Sequence, residues 1–362
     1  MKNCLLYTSC LQRGGTERIV CVYSGFLKKK GCQVSVLTNF RLEEEYGLEE
    51  GIDRIVVGEC IRNTASRVYN YIQRLRAIRK VCKEKKIEVA IAFAKANAIR
   101  LCIATLGLKT RVVISIRTNP EAEFKSGISS KIAKRIFGLA DGFLFQTKRQ
   151  RDFFGKKIAA KSVVIPNSID RSFLKELYSG ERDNRIISVG RLISCKNHKM
   201  LMRAFAQIAP EFPDSQLVIY GDGGYKEELE KEREKIGLLD RILLPGAVSQ
   251  VADVIQNAGM FVLSSDYEGM PNALLEAMAL GIPSISTDCP CGGPAEIIQN
   301  GRNGLLISVG DTDGLANAMR TLLSDKDMQK RFSEEGIKVQ QDYSEEKTFE
   351  ALYRYLEKVV QG

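Results

Sequence analysis

Two glutamates eight positions apart, Glu268 and Glu276, flank a proline in YEGMPNALLEAMALG (267–281). On one continuous helix their side chains would diverge by about 80° and sit ~12 Å apart along the axis, a poor general acid/base pair. A helix that begins between them makes better sense of the spacing. MFVLSS (260–265) is a short apolar run of strand type, Pro271 suits a first helical position, and ALLEAMAL reads as helix closed by Gly281 and Pro283. Glu268 then lies on a loop and Glu276 one to two turns into the helix. Between them sits a helix N-terminus, whose free N–H groups and positive dipole end attract anions. Two acceptors around an anion site suit a ligand with hydroxyls at both ends and phosphate in the middle, which is the shape of a nucleotide-sugar.

Other stretches extend this chemistry. SVGRLISCKNHKML (188–201) places Arg191 and Lys196 five apart, after a strand and Gly190. A forked guanidinium and a point-charge ammonium together can neutralise a diphosphate, though surface charge on a turn is the plainer reading. YTSCLQRGGTERIV (7–20) puts Gly14 and Gly15 between a strand and a helix, with Thr16 as a possible cap and Glu17 at the positive helix end. A tight turn explains that pair equally well, and no third glycine completes a dinucleotide fingerprint. YGDGGYKEELE (220–230) reads as a structural turn, and LLPGAV (243–248) puts the backbone near Val248 where a base could face it. In TDCPCGGPAEIIQNGRNGLLI (287–307), Gly292 and Gly293 leave room for a ligand and Pro294 opens a helix, while Cys289 and Cys291 read as structural thiols. DTD (311–313) matches an Asp-x-Asp metal motif but stands where aspartate is an ordinary helix cap. The expectation is therefore no essential metal and no cofactor, with Arg191, Lys196 and a helix N-terminus stabilising phosphate. The single histidine, His198, reads as a helix-start residue without chemistry.

The elements that would position these residues alternate. CLLY, QVSVLT, IDRIVV, EVAIAF, RVVISI, GFLFQ and SVVIP read as strands in the first half, and RIISVG, QLVIYG, RILLPG, MFVLSS, PSIST and GLLI in the second, with helical patterns between most of them. Such alternation predicts an α/β fold with parallel sheets and crossover helices, in which ligands bind beyond the carboxyl ends of strands. The polar, interrupted segment 166–184 reads as a linker between two Rossmann-like domains facing each other across a cleft. The domains expected are 1–170 and 171–344, followed by an amphipathic helix over 345–362.

With 362 residues and 44% hydrophobic content, both domains can bury a core. The ten cysteines contain no C-x-x-C, which favours reduced thiols in a cytosolic protein. The apolar run after Lys2 is too short for a signal peptide, and no run of about 18 apolar residues is present to span a membrane. The net charge of +10 is uneven: residues 1–170 carry 32 Lys+Arg against 15 Asp+Glu, so the second half is acidic. The basic half is concentrated in RVYNYIQRLRAIRKVCKEKK (67–86) and SSKIAKRIFGLA (129–140). In the first of these, Val68, Ile72, Leu75, Ile78 and Cys82 recur at helical spacing. A solvated helix packed on a core and a surface that docks to anionic membrane or an anionic acceptor are both open readings. No aromatic-rich basic motif of the RNA-binding kind occurs, so nucleic acid is not expected as a partner.

GGTERIV, IPNSID, VGRLISCKNHKML, YGDGGYKEELE and SSDYEGMPNALLEAMALGIPSISTD, in this order, resemble the family 4 glycosyltransferases of the GT-B fold. The resemblance runs over nearly the whole chain and rests most on the Glu-x7-Glu element. It implies that Glu276 binds ribose hydroxyls and that Glu268 faces the donor sugar. Gly269, Met270, Pro271 and Asn272 would form the loop at the helix start, and Arg191 and Lys196 would hold the diphosphate. Gly15 would close over it from the other domain, to which the C-terminal helix would return. It further implies a retaining transfer, usually without metal, from a nucleotide-sugar (a UDP-sugar being favoured) to a saccharide or lipid-linked saccharide, in the cytoplasm or peripheral at the inner face of the cytoplasmic membrane. Many members carry a histidine after a strand of the first domain; here the matching place holds Arg117, in VVISIRTNPEAEF (112–124), as a contact to donor or acceptor or as a structural arginine. The R-x-N-P element together with DCPCGGP resembles galactosyl and N-acetylgalactosaminyl transferases of surface polysaccharide assembly. A nucleotide-sugar epimerase or hydrolase on the same fold, and a non-catalytic subunit, are the competing readings.

Overall fold

The computed structural model describes residues 1–12, 14–59, 65–124 and 128–362. Each of the thirteen apolar runs forms a strand. β1 (Asn3–Thr8), β2 (Gln33–Thr38), β3 (Asp53–Val56), β4 (Val89–Phe93), β5 (Arg111–Ile116), β6 (Gly142–Phe145) and β7 (Ser162–Val164) build one parallel sheet. β8 (Arg185–Val189), β9 (Gln216–Tyr220), β10 (Ile242–Gly246), β11 (Met260–Leu263), β12 (Ser284–Thr287) and β13 (Leu305–Ile307) build a second. The orders are β3-β2-β1-β4-β5-β6-β7 and β10-β9-β8-β11-β12-β13. Both are doubly wound Rossmann-like sheets whose strand order reverses at the middle, between β1 and β4 and between β8 and β11. A crevice at the carboxyl ends of those two strands is the inherent ligand position of such a sheet.

The chain divides into two compact units, Met1–Asn167 with Glu346–Gly362, and Ser168–Glu345. In the first unit, the central strands are buried on both faces, as parallel sheets with crossover helices require. Val89, Ile91 and Phe93 of β4 face one core with Ile19, Val20 and Tyr23 of the Gly15–Lys29 helix. Ala90 and Ala92 face the other, with Ile78, Leu101 and Phe137 from the helices Arg67–Glu84, Lys95–Ala104 and Ile128–Phe137. The Glu345–Gln361 helix docks on the first face through Phe349, Leu352 and Leu356. Its Tyr355 hydroxyl receives the Phe143 N–H at 2.9 Å and donates to the Lys161 carbonyl at 2.7 Å. A Cβ at Gly142 would stand 2.4 Å from that hydroxyl, so the absent side chain is what admits the tyrosine.

Two local expectations change. Segment 166–184 is not a free linker: Phe173 is buried, and Arg182 donates to the carbonyls of Gln256 and Ala258 at 2.9 and 3.1 Å and to that of Gly281 at 2.6 Å. The stripe on the Arg67–Glu84 helix is only half used. Ile78 and Cys82 are buried, but Val68 is 71% and Ile72 40% exposed beside the basic residues of that helix.

Candidate active site

The reversal point of the second sheet collects the loops that follow β8, β9 and β11. After β8, the chain runs through Gly190 and Arg191, makes a turn at Ser194–Lys196, and enters the His198–Ile208 helix through Asn197, whose φ is +46°. The β9 loop is laced to it: Gly190 N–H donates to Tyr220 O at 2.9 Å, Leu192 N–H to Asp222 O at 2.8 Å, and Tyr225 N–H to Leu192 O at 2.9 Å. This approach is why YGDGGY holds its glycines. A Cβ at Gly221 (φ +148°) would lie 1.8 Å from the Gly190 carbonyl, and one at Gly223 (φ +154°) 2.4 Å from that of Leu192. The turn reading of that stretch stands, and its purpose is to fix the Arg191 loop.

The β11 loop locks on from the other side. Asp266 N–H donates to Cys195 O at 2.8 Å, Asn197 Nδ2 to Asp266 Oδ1 at 2.7 Å, and Ser264 Oγ to Lys196 O at 2.9 Å. Lys196 Nζ pairs with Glu268 Oε1, which also accepts from Ser265 Oγ at 2.7 Å. The two side chains are 16% and 14% exposed, so the pair is largely dehydrated. The sequence reading gave Lys196 to the diphosphate and Glu268 to the donor sugar; the structure joins the two side chains directly. Arg191, by contrast, is exposed, and its side chain makes no ion pair or hydrogen bond among the described residues.

The next helix spans Asn272–Ala279, with Pro271 as N-cap rather than first helical residue and no side-chain hydrogen bond from that cap residue. The site loop Gly269–Asn272 stands at that end, Met270 and Pro271 being buried. Glu276 is partly buried one turn in, on the face it shares with Asn272. Gly293 has a packing reason: a Cβ there would lie 2.0 Å from the Gly269 carbonyl, so its bare backbone seats the loop. Cys289 is buried, its thiol donates to Ser265 O at 3.3 Å, and burial pushes it up to about 12, which keeps it a neutral structural thiol. Val248, partly buried after β10, packs against the core under this loop set. His198 is buried at its helix start, and burial, then the Lys196 ammonium, push it down to about 4, so it is neutral. Asp311 caps its helix by accepting from Gly314 N–H at 2.8 Å, and Asp313 accepts from Gln207 Nε2 at 2.8 Å, as the cap reading of DTD requires.

The first sheet also carries a cavity at its reversal point. It occupies about 80 Å³ between Thr8 and Ser9 after β1, Thr16 and Glu17 at the helix start, Ala94 after β4, and Ser115–Thr118 at the end of β5. Gly14 is the N-cap in extended backbone and Gly15 the first helical residue, so Thr16 lies inside the helix and is not its cap. Arg117 enters the cavity. Its guanidinium donates to Asn167 Oδ1, and no carboxylate pairs with it among the described residues. Burial therefore holds it below the usual arginine range, with Tyr23 opposing. Two features were not legible in the sequence. Ala94 has φ +71°, a strained value for alanine, held by the Lys95 N–H bonded to Glu123 Oε1 at 3.2 Å. Ser115 is 1% exposed, and its hydroxyl has no partner among the described residues. The only hint was a serine in the otherwise apolar RVVISI. A half-buried cation, an unsatisfied hydroxyl and backbone strain in one cavity are the marks of a binding site.

Known proteins share this fold. Residues 171–339 match the family described as Glycosyl transferases group 1, and residues 13–173 match Glycosyltransferase Family 4. A Campylobacter jejuni alpha-1,4-N-acetyl-D-galactosaminyltransferase, acting on a GalNAc-containing diNAcBac-PP-undecaprenol, is 26% identical over 329 residues, 88% of each chain. An uncharacterized glycosyltransferase of Methanocaldococcus jannaschii is 25% identical over 346 residues, 81% of this chain and 85% of its own. Among solved structures, Anabaena HepE in complex with UDP superposes with a TM-score of 0.83 at 18% identity, over 99% of this chain and 100% of its own. The lipopolysaccharide outer core galactosyltransferase WaaB gives 0.79 at 20% identity, over 99% of both chains.

Proposed function

Since the chain belongs to the group 1 glycosyltransferases of GT-B fold, we propose that it moves a hexosyl or N-acetylhexosaminyl group from a UDP-sugar to a saccharide or lipid-linked saccharide, with retention and without a metal. The observation that carries the donor site is the dehydrated Lys196–Glu268 pair beside exposed Arg191, at the reversal point of the second sheet, on the loop that leads into the Asn272–Ala279 helix N-terminus. A diphosphate bound there meets one free cation, one ammonium and oriented N–H groups. Glu276, a turn further on, accepts from ribose hydroxyls, and Glu268 keeps one carboxylate oxygen for the sugar. HepE bound to UDP and to UDP-glucose supports this donor class.

Bond cleavage leaves negative charge on the departing diphosphate. The interlocked loops hold the backbone at Arg191, Lys196 and the helix end in place before reaction, so these groups are at hand to stabilise that charge. Replacing any one such donor typically costs on the order of 10²–10³ in rate. In this scheme Arg191, Lys196 and the helix end together take the place of a metal at the diphosphate. The Arg117 cavity is the acceptor-side subsite of the first unit: a guanidinium with no carboxylate partner among the described residues suits an acceptor phosphate or a sugar hydroxyl, and the Ser115 hydroxyl supplies a second contact. The lipid-linked acceptor class rests on the Campylobacter relative. The exposed Val68, Tyr69 and Ile72 on a basic helix, with Ile132 on the helix Ile128–Phe137 of the same face, fit docking to an anionic bilayer. Among the described residues no helix is long and apolar enough to cross a membrane.

The test is transfer of labelled sugar from UDP-N-acetylgalactosamine, UDP-galactose or UDP-glucose to an undecaprenyl-diphosphate saccharide, with and without chelator, and NMR of the product anomer. Transfer that is chelator-insensitive and gives the α product from an α donor is expected. Loss of activity on chelation that Mn²⁺ restores refutes metal independence, and a β product refutes retention.

A further inference from the structure

The opposite end of the first sheet's strands holds another cavity, of about 370 Å³, at the amino ends of β4 and β5. Arg111 stands at one end of β5 and Arg117 just past the other, so the two cavities are separated by about 20 Å of extended chain. The floor of this second cavity is apolar, made by Cys82, Ile87, Leu108 and Val360. Its rim carries Lys83, Lys86, Lys109 and Arg111 against one lining carboxylate, Glu88. Arg111 is paired with Asp141 at 2.9 Å, and Glu88 Oε2 accepts from the Lys2 N–H at 2.5 Å. Lys83, Lys86 and Lys109 are exposed and make no ion pair among the described residues.

Lysines at helix C-termini often do no more than complement the dipole. Here the Arg67–Glu84 and Lys95–Ala104 helices both finish at this end of the strands. Their C-termini together contribute roughly one negative charge, which with Glu88 still leaves the three lysines in excess by about one. Lys86 is moreover in left-handed backbone, φ +48°, directly after its helix, where glycine or asparagine is the usual choice and lysine carries strain. A cation kept at that position, over an apolar floor, in a volume fit for a small ligand, asks for an anion with an apolar substituent.

We propose that this cavity is a second ligand site, separate from sugar transfer, which binds a phosphate group attached to an apolar chain. The phosphate is coordinated by Lys83, Lys86 and Lys109, and the chain lies on Ile87, Leu108 and Val360. Two sources share that chemistry, a lipid of the bilayer and a soluble phosphorylated amphiphile.

Acetylation footprinting of the full chain, read lysine by lysine by mass spectrometry, tests this away from the donor site. The probes are dihexanoyl phosphatidic acid as monomer, inorganic phosphate, and phosphatidylcholine vesicles with and without one quarter phosphatidic acid. Dihexanoyl phosphatidic acid is expected to protect Lys83 and Lys109 severalfold while exposed Lys226 of the second unit labels as before. The variant K83E/K109E, changed only at exposed side chains, is expected to bind that probe at least about tenfold more weakly, the loss of one charge-assisted bond. UDP binding should stay as in the wild type, so this outcome is independent of the donor-site reading. Protection by the phosphatidic acid vesicles as well identifies a bilayer source; protection by the monomer alone identifies a soluble one. Equal protection by inorganic phosphate refutes the apolar half of the proposal. Absence of protection by every probe, equal protection of Lys226, or unchanged binding by the variant overturns the site.

Discussion

Replacing Lys196 by alanine separates the two tasks assigned to its ammonium. In the free protein Lys196 neutralises Glu268, and both side chains are about one-sixth exposed. Removing the ammonium leaves Glu268 accepting from the Ser265 hydroxyl alone among the described contacts of its carboxylate. The expected cost is about 1–3 kcal/mol, below that of a fully buried pair because water reaches the site. For a unit of this size that corresponds to a fall in Tm of roughly 2–10 °C. In the complex, the same ammonium makes a charge-assisted contact to phosphate worth about 1.5–3 kcal/mol, so UDP should bind about 10–100-fold more weakly. Uridine, which has no phosphate, should bind as before. Glu268→Ala should act in the opposite sense on UDP, since it removes a negative charge that competes for Lys196; UDP tightens severalfold while turnover falls. Calorimetric titration of UDP and uridine into the wild type, K196A, E268A and the double variant reads all of this. An unchanged UDP affinity in K196A, or an equal loss for uridine, refutes the diphosphate assignment. Weaker UDP binding in E268A refutes the competition between carboxylate and phosphate.

Three further outcomes follow from particular contacts. Gly221→Ala places a methyl on the Gly190 carbonyl in backbone that L-residues avoid, and should lower stability by about 3 kcal/mol in urea unfolding and loosen the Arg191 loop; a loss under about 0.5 kcal/mol would show that the loops are not interlocked. Arg117→Met should keep the fold, since the guanidinium has no carboxylate to abandon, while lowering turnover by about 10²-fold through the acceptor KM or kcat; unchanged kinetics with intact melting would assign it a structural role. His198 is held down to about 4 against its ordinary 6.5, so the unfolded chain binds the extra proton between those values. Its contribution is thus intact above pH 6.5 and lost as pH falls toward 4, about 3 kcal/mol in all. His198→Gln should remove that component from the pH dependence of unfolding, and identical slopes for the two proteins would refute it.

The architecture was open to reading because it is written locally. Runs such as QVSVLT and EVAIAF are continuous apolar stretches of strand length separated by helical periodicity, and a strand buried on both faces needs no partner to be recognised. The Glu268–Glu276 spacing around a proline located a helix N-terminus for the same reason, since caps and breakers act within a few residues. Asp311 likewise announced itself as a cap.

What sequence did not disclose depends on residues far apart in the chain. Gly221 and Gly293 resembled ligand-admitting or turn glycines. Their reason is the Gly190 and Gly269 carbonyls pressed against them, which only the adjacency of β8 to β9 and of β11 to β12 brings into place. Lys196 and Glu268 are 72 positions apart and meet because β8 neighbours β11. Val68 and Ile72 carried the same periodic signal as Ile78 and Cys82, yet the helix covers core only along its second half, and periodicity cannot say where a neighbouring layer ends. Amino-acid order determined which segments are strands, which are helices and where a helix begins between Glu268 and Glu276. Tertiary structure alone decided which charges are compensated, because compensation is a matter of distance and dehydration between strands that the chain order keeps apart.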